Sequence, residues 1–163
     1  MQTFYSAVEV IEMAIKTEET GFAFYTNAAK TTRPKSLASL FAKLAQEEKK
    51  HKKFFNDLFQ IVKHGPATIP FDWEETGLYL KAITDSKFFL GKDKALSLIK
   101  RVRTPKALLD YALSFEKETL LFYSEIKNFV KLDEQDIVSK IIEQEKEHIR
   151  KLSQEKQALI KKI

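Results

Sequence analysis

The scarcity of helix-breaking residues is the feature that most constrains this fold. The 163-residue chain contains only four glycines and four prolines, and two of the clearest breaks are Gly65-Pro66 and Thr104-Pro105. Because glycine and proline interrupt regular structure most strongly, the stretches between them are expected to form long helices. No segment favours a β-strand. The sequence therefore predicts an all-α fold.

Helix start signals occur at four places in the chain. Ser6 and Glu9 have the spacing of a capping box. Pro34 and Pro105 are favoured in the first turn of a helix. Thr104 can cap the helix that begins at Pro105, and Asp133 can cap the final one. The four predicted helices cover about residues 6–31, 34–64, 105–131 and 134–161.

The second and third predicted helices are separated by a long crossover, residues 65–103, which contains short amphipathic segments. A helix of about 28 residues is about 42 Å long. Nearly 40 residues are enough to run back along it. The prediction is a four-helix bundle, folded as one domain over residues 1–163, in which a crossover with short helices joins two helical hairpins.

Each predicted helix carries an apolar stripe that is interrupted by polar side chains. Apolar residues recur at steps of three and four, as on the buried face of a helix. In the first helix the predicted inward stripe is Ile11, Ile15, Glu18, Phe22, Tyr25 and Ala29. Glutamates and histidines replace apolar residues within these stripes. They are Glu18 in the first helix, Glu48 and His51 in the second, Glu116 in the third, and Glu145 and His148 in the fourth.

The same polar pattern occurs twice. EETGFAFY at 18–25 aligns with EKETLLFY at 116–123, and LFAKLAQEEKKH at 40–51 aligns with IVSKIIEQEKEH at 137–148. In each half, a glutamate seven residues before a tyrosine is followed by Glu-x-x-His. The halves look like duplicated hairpins, each supplying half of one site.

This set of side chains suits a pair of metal ions. Residues at i and i+3 share a helix face, so each Glu-x-x-His pair can hold one ion or two adjacent ions. Four ionised glutamates balance two divalent cations, which lowers the cost of burying them. A lone Glu-x-x-His on a lysine-rich helix is more often a surface pair. The repeat and the position within the apolar stripe favour a two-metal site.

Tyr25 and Tyr123 lie two turns beyond Glu18 and Glu116 on the same helix faces. We expect them to be core aromatics with hydrogen-bonded hydroxyls beside the site rather than redox groups. His64 precedes Gly65-Pro66 and is expected at a helix C-terminus, where the dipole favours an imidazolium, rather than as a ligand.

Composition excludes several kinds of site. The chain has no cysteine, so it cannot form disulfides, thiolate zinc sites or iron–sulfur clusters. The net charge is +5, but the basic residues are scattered and the run KKHKK at 49–53 reads as a solvated face, so nucleic-acid binding is not expected. The N-terminus lacks a signal-peptide pattern and no apolar run approaches membrane length. The expected location is the cytoplasm, without membrane association.

With these motifs the chain resembles the rubrerythrin and ferritin-like di-iron carboxylate family over about residues 6–160. The resemblance implies a ferritin-like four-helix bundle that holds two iron ions, with manganese or zinc as alternatives, and redox chemistry with dioxygen or hydrogen peroxide. It also implies an external electron donor and is compatible with a homodimer. By this likeness Glu18 and His51 are terminal ligands of one metal, Glu116 and His148 of the other, and Glu48 and Glu145 bridge both as the catalytic carboxylates.

Two departures from the family pattern limit the resemblance. Rubrerythrins proper have a further carboxylate one turn before the glutamate of the third helix, where this chain has Leu113. They also usually carry a cysteine-bound iron, which this chain cannot hold. Two alternatives therefore remain beside an oxidoreductase: a ferroxidase or iron-handling protein, and a helical interaction or nucleic-acid-binding module with a vestigial metal site.

Overall fold

The computed structural model describes residues 5–66, 73–85, 92–102 and 104–161. Within these ranges every regular element is helical. The elements are α1 (Ala7–Thr31), α2 (Lys35–His64), α3 (Trp73–Thr84), α4 (Lys92–Arg101), α5 (Pro105–Ile126), a 3-10 turn (Lys127–Phe129) and α6 (Leu132–Ile160). The predicted all-α fold is confirmed. The short helices α3 and α4 lie in the predicted crossover, of which residues 67–72, 86–91 and 103 are outside the described part of the chain.

Two predicted helix starts are confirmed by their capping bonds. The Ser6 hydroxyl accepts a hydrogen bond from the Glu9 backbone N–H at 3.2 Å, and the Glu9 carboxylate accepts one from the Ser6 N–H at 2.7 Å. Thr104 Oγ1 accepts a bond from the Ala107 N–H at 3.2 Å, with Pro105 as the first residue of α5. These side chains satisfy amide groups that have no partner inside the helix.

The predicted cap at Asp133 is wrong. Helix α6 begins at Leu132, its N-cap is Lys131, and no side chain caps it. The chain reaches this point through the 3-10 turn that follows α5, and the Gln135 amide donates to the Lys127 carbonyl at 3.1 Å. Asp133 instead lies in the first turn of α6, where a carboxylate is favoured by the helix dipole.

The contacts between α1 and α5 show the relative directions of the long helices. The Tyr25 hydroxyl of α1 bonds Glu116 of α5, and the Tyr123 hydroxyl of α5 bonds Glu18 of α1. As residue numbers rise along one helix they fall along the other, so α1 and α5 are antiparallel. Helix α1 also forms a hairpin with α2. Helices α2 and α5 therefore run in the same direction, as the long crossover permits.

The core consists of two apolar clusters with a polar layer between them. The first includes Val10, Ile11, Ala14, Phe55, Leu58, Phe122, Ile126, Val138 and Ile141. The second includes Phe24, Ala28, Phe41, Leu44, Leu109, Ala112 and Leu152. Each long helix contributes to both clusters, and the predicted glutamates and histidines lie between the two contributions. Leu80 of α3 joins the first cluster and Ile99 of α4 the second.

The buried face of α1 differs in part from the predicted stripe. Ile11, Glu18 and Tyr25 are buried as expected, whereas the other predicted positions, Ile15, Phe22 and Ala29, are only half-buried. Their N-terminal neighbours, Ala14, Gly21 and Ala28, are buried instead. Small residues on this face let α1 approach its neighbours closely, and bulkier ones lie at the edge. Among the helices that the structure describes, none is both long and apolar enough to cross a bilayer.

Candidate metal centre

The predicted ligand side chains meet in the polar layer of the bundle. All are at most 4% exposed. They form two overlapping groups, and within each group the candidate ligand atoms lie within 4.8 Å of one another. One group is Glu18, Glu48, His51 and Glu145, and the other is Glu48, Glu116, Glu145 and His148. Glu48 and Glu145 belong to both groups.

Helix geometry explains why these residues meet. Each Glu-x-x-His pair places its two side chains one turn apart on the inner face of α2 or α6. Helices α1 and α5 each contribute one buried glutamate from between the two apolar clusters. Four helices thus supply four carboxylates and two imidazoles to one layer.

Both imidazole rings direct Nδ1 toward Glu145. His51 Nδ1 lies 2.9 Å from Glu145 Oε1, and His148 Nδ1 lies 3.0 Å from Glu145 Oε2. His148 Nδ1 is also 3.4 Å from Glu48 Oε1. The ring centroids are 5.7 Å apart with an interplanar angle of 21°. Glu145 therefore lies between two nearly parallel rings, with one oxygen facing each.

Although both Nδ1 atoms lie close to Glu145, none of the inner atoms of this buried layer forms a hydrogen bond of good geometry among the described residues. They are Glu18 Oε2, Glu48 Oε1, His51 Nδ1, Glu116 Oε2, His148 Nδ1 and both carboxylate oxygens of Glu145. Leaving a buried polar atom unsatisfied costs about 1–3 kcal/mol. Divalent cations would satisfy all of these atoms, and a mixed carboxylate and imidazole set suits iron, manganese or zinc. The residues present therefore fit a two-metal centre.

Burial and mutual charge perturb the acids and bases of the layer. Burial raises the pKa of Glu18, and raises those of Glu48 and Glu116 well above the usual range. Burial acts in the same direction on Glu145, but the close contacts and positive charges of His148 and His51 outweigh it and lower the Glu145 pKa. Without metal ions, an ionised Glu145 separates two protonated imidazoles.

The neighbouring carboxylates raise the pKa values of both histidines. Burial alone would lower the pKa of His51, but Glu145 and Glu18 outweigh it and raise the value to about 12. The pKa of His148 is also raised, because Glu116 and Glu145 outweigh the effect of burial. Metal ions that bind at Nδ1 would have to displace these protons.

The outer nitrogen of each histidine has a partner that the sequence interpretation missed. His51 Nε2 lies 2.7 Å from Gln144 Oε1, and His148 Nε2 lies 2.7 Å from Glu47 Oε2. Glu47 and Gln144 occupy aligned positions in the repeat, each directly before a ligand glutamate. That shared position was an available signal. Contacts of this kind orient metal-binding imidazoles.

Each of the two tyrosines bonds a glutamate of the other hairpin. Tyr25 donates to Glu116 and Tyr123 to Glu18, and both rings are fully buried. Burial, with the charge of the carboxylate that each contacts, raises both tyrosine pKa values well above 10. The hydroxyls therefore stay protonated and act as donors, which is the hydrogen-bonded role that the sequence favoured.

The other residues that the sequence singled out do not contribute ligands to the centre. His64 is exposed in the last turn of α2, with Nδ1 2.9 Å from the Gln60 carbonyl oxygen. Leu113 is buried in the second apolar cluster. In the KKHKK run, Lys49 and Lys50 are exposed, and Lys52 pairs with Glu19 of α1 at 2.7 Å.

Comparison with known proteins agrees with this geometry. A family model described as Rubrerythrin matches residues 9–156. The crystal structure of a protein from Thermotoga maritima, described provisionally as a ferritin-like diiron-carboxylate protein, is 26% identical. The alignment covers 96% of this chain and 98% of that one, with a TM-score of 0.70. No curated protein matches the chain.

Proposed function

The chain belongs to the rubrerythrin family, and from that membership and the geometry of the polar layer we propose that it is a di-iron oxidoreductase. Its centre would reduce dioxygen or hydrogen peroxide with electrons from an external donor. Manganese or zinc could occupy the same donor set. The observation that carries the proposal is the pair of overlapping ligand groups that share Glu48 and Glu145.

The two groups suggest a division of roles among the ligands. Glu18 and His51 would hold one metal, and Glu116 and His148 the other. Glu48 and Glu145 would contact both metals and thus the reacting centre. Four ionised carboxylates then balance two divalent cations, which supports a buried centre with no net charge.

When bound, two iron ions supply one-electron chemistry and open coordination positions. The chain's own residues hold and shield them. Tyr25 and Tyr123 each hold one carboxylate oxygen, of Glu116 and Glu18 respectively, by a hydrogen bond, and the apolar clusters above and below the layer limit the entry of water. Because these 163 residues contain no cysteine, they have no thiolate centre for electron delivery, and the electrons would come from outside this bundle.

Metal analysis tests the centre itself. Protein loaded anaerobically with ferrous iron is expected to retain about two metals per chain. Glu48→Ala should lose metal, because it removes a ligand common to both groups. Glu143→Gln is the matched control, since Glu143 is exposed and pairs with Lys146 on the surface. Wild-type protein that retains no metal, together with a Glu48→Ala variant of unchanged melting temperature, would contradict the proposal.

Stopped-flow absorbance tests the chemistry. The ferrous protein is mixed separately with hydrogen peroxide and with dioxygen, and the faster oxidation identifies the oxidant. An enzyme is expected to complete repeated cycles once a reductant is added. Iron storage would instead be favoured by two results together. The protein would be oxidised in a single cycle and retain ferric iron, and sizing chromatography would show a large closed assembly. Failure of both oxidants would rule out the oxidoreductase.

A further inference from the structure

The two halves of the centre differ in the residue behind each histidine. His148 Nε2 faces the Glu47 carboxylate, and His51 Nε2 faces the Gln144 amide oxygen, each at 2.7 Å. The repeat places Glu47 and Gln144 at equivalent positions. The contacts match in geometry but not in chemistry, because one acceptor is an acid and the other is neutral.

A carboxylate and an amide constrain an imidazole differently. An ionised carboxylate only accepts hydrogen bonds, so Glu47 keeps a proton on His148 Nε2, and the proton that a metal displaces is the one on Nδ1, which faces the ligand groups. The Gln144 amide can rotate to offer either its oxygen or its NH2 group, so it accommodates either tautomer of His51.

The charge of Glu47 also favours metal binding by His148. Glu47 places a negative charge on the outer side of this imidazole, which makes the ring a stronger electron-pair donor to a cation. Lys151 Nζ, 3.8 Å from Glu47 Oε1, partly holds the carboxylate in place. Gln144 adds no charge behind His51.

We propose that Glu47 is a positioning residue that makes the two metal positions unequal. The position with Glu116 and His148 binds a divalent cation about 10- to 100-fold more tightly than the position with Glu18 and His51, which is the usual effect of such an outer partner. The inference rests on the proposed di-metal function. It means that the centre fills in a fixed order and passes through a one-metal form occupied beside His148.

Titration of the metal-free protein with Co²⁺ tests this order, because its visible absorption reports how it is coordinated. Wild-type protein is expected to bind two ions in two resolved steps. His51→Ala should retain the tighter step and His148→Ala the weaker one, which assigns each step to a position. Calorimetry under the same conditions measures both affinities.

Three variants then separate the role of Glu47 from general stability. Glu47→Gln should weaken the tighter step about 10- to 100-fold and leave the other unchanged. Gln144→Glu should strengthen the weaker step, and the exchange of both residues should reverse the order of filling. Glu143→Gln removes the same charge from an exposed site and should change neither step.

The outcomes separate this inference from the proposed function. If the protein binds two ions but neither Glu47→Gln nor Gln144→Glu changes their affinities, the inference is overturned and the di-metal function stands. An equal change in both steps also overturns it, because it would indicate a general effect on the fold. Binding of no ion by the wild-type protein overturns both the inference and the di-metal function.

Discussion

The Tyr25 hydroxyl of α1 donates a hydrogen bond to Glu116 of α5, 91 residues away. Tyr123 makes the reciprocal bond to Glu18. Glu18 and Glu116 are therefore each held by a tyrosine from the opposite hairpin, within a layer shielded from solvent. These bonds connect the two halves of the repeat and set the positions of two candidate ligands at the same time.

Replacing Tyr25 by phenylalanine should destabilise the metal-free protein. The change removes the donor to a buried carboxyl oxygen, for which the expected loss is about 1–3 kcal/mol. Tyr123→Phe should have a similar effect through Glu18. Urea unfolding measures both changes. Tyr79→Phe is the control, because Tyr79 is 41% exposed, and a Tyr25→Phe variant as stable as this control would show that the bond is energetically unimportant.

Gly21→Ala should weaken metal binding. An added Cβ at this position would lie 2.6 Å from Glu48 Oε2 and 3.1 Å from Phe115 Cε1, so the shared carboxylate would have to move. Alanine is otherwise favoured over glycine in a helix by about 1 kcal/mol. A loss of affinity of at least about tenfold is expected from the displaced ligand.

The measurement for Gly21→Ala is a metal titration, together with circular dichroism to confirm that the helices are retained. Normal helix content with weaker binding would identify a local steric effect at Glu48. Unchanged affinity for both metals would mean that Glu48 moves without cost, contrary to the prediction.

Metal affinity should increase with pH. The pKa of His51 is raised to about 12, so near neutral pH this imidazole holds a proton that a metal must displace. Burial also raises the pKa of Glu48 well above its usual range, so Glu48 binds its proton more tightly than a free carboxyl group does. Affinity should rise about tenfold per pH unit for each proton displaced. Calorimetry in two buffers of different ionisation enthalpy counts these protons. Equal heats in both buffers would show that none is released.

The metal-free protein should lose stability as pH rises. The pKa of His51 is raised from 6.5 to about 12, so its stabilising contribution is complete below about pH 6.5 and declines as pH approaches 12. The melting temperature at pH 9 should thus be lower than at pH 6.5. In a metal-bound protein both imidazoles would serve as neutral ligands, so the melting temperature should depend less on pH. A metal-free protein that melts at the same temperature at both pH values would contradict the raised pKa.

Much of the centre followed from local spacing. The i and i+3 relation of Glu48 and His51 holds in any α-helix, so their shared face could be inferred before the fold was known. The apolar residues around them then indicated that this face is buried. The alignment of the repeat supplied the second pair, Glu145 and His148, and predicted that the halves meet.

The sequence by itself determined the helical class, the two capped starts at Ser6 and Thr104, and the candidate ligands, because these depend on local backbone geometry and periodicity. Only the tertiary structure decided that Tyr25 bonds Glu116 rather than a group on its own helix, and that Glu47 contacts His148. It also decided that Gly21, not Phe22, lies against Glu48. These relations depend on the register and rotation of one helix against another, which packing across the whole core sets and which no spacing within a single helix encodes.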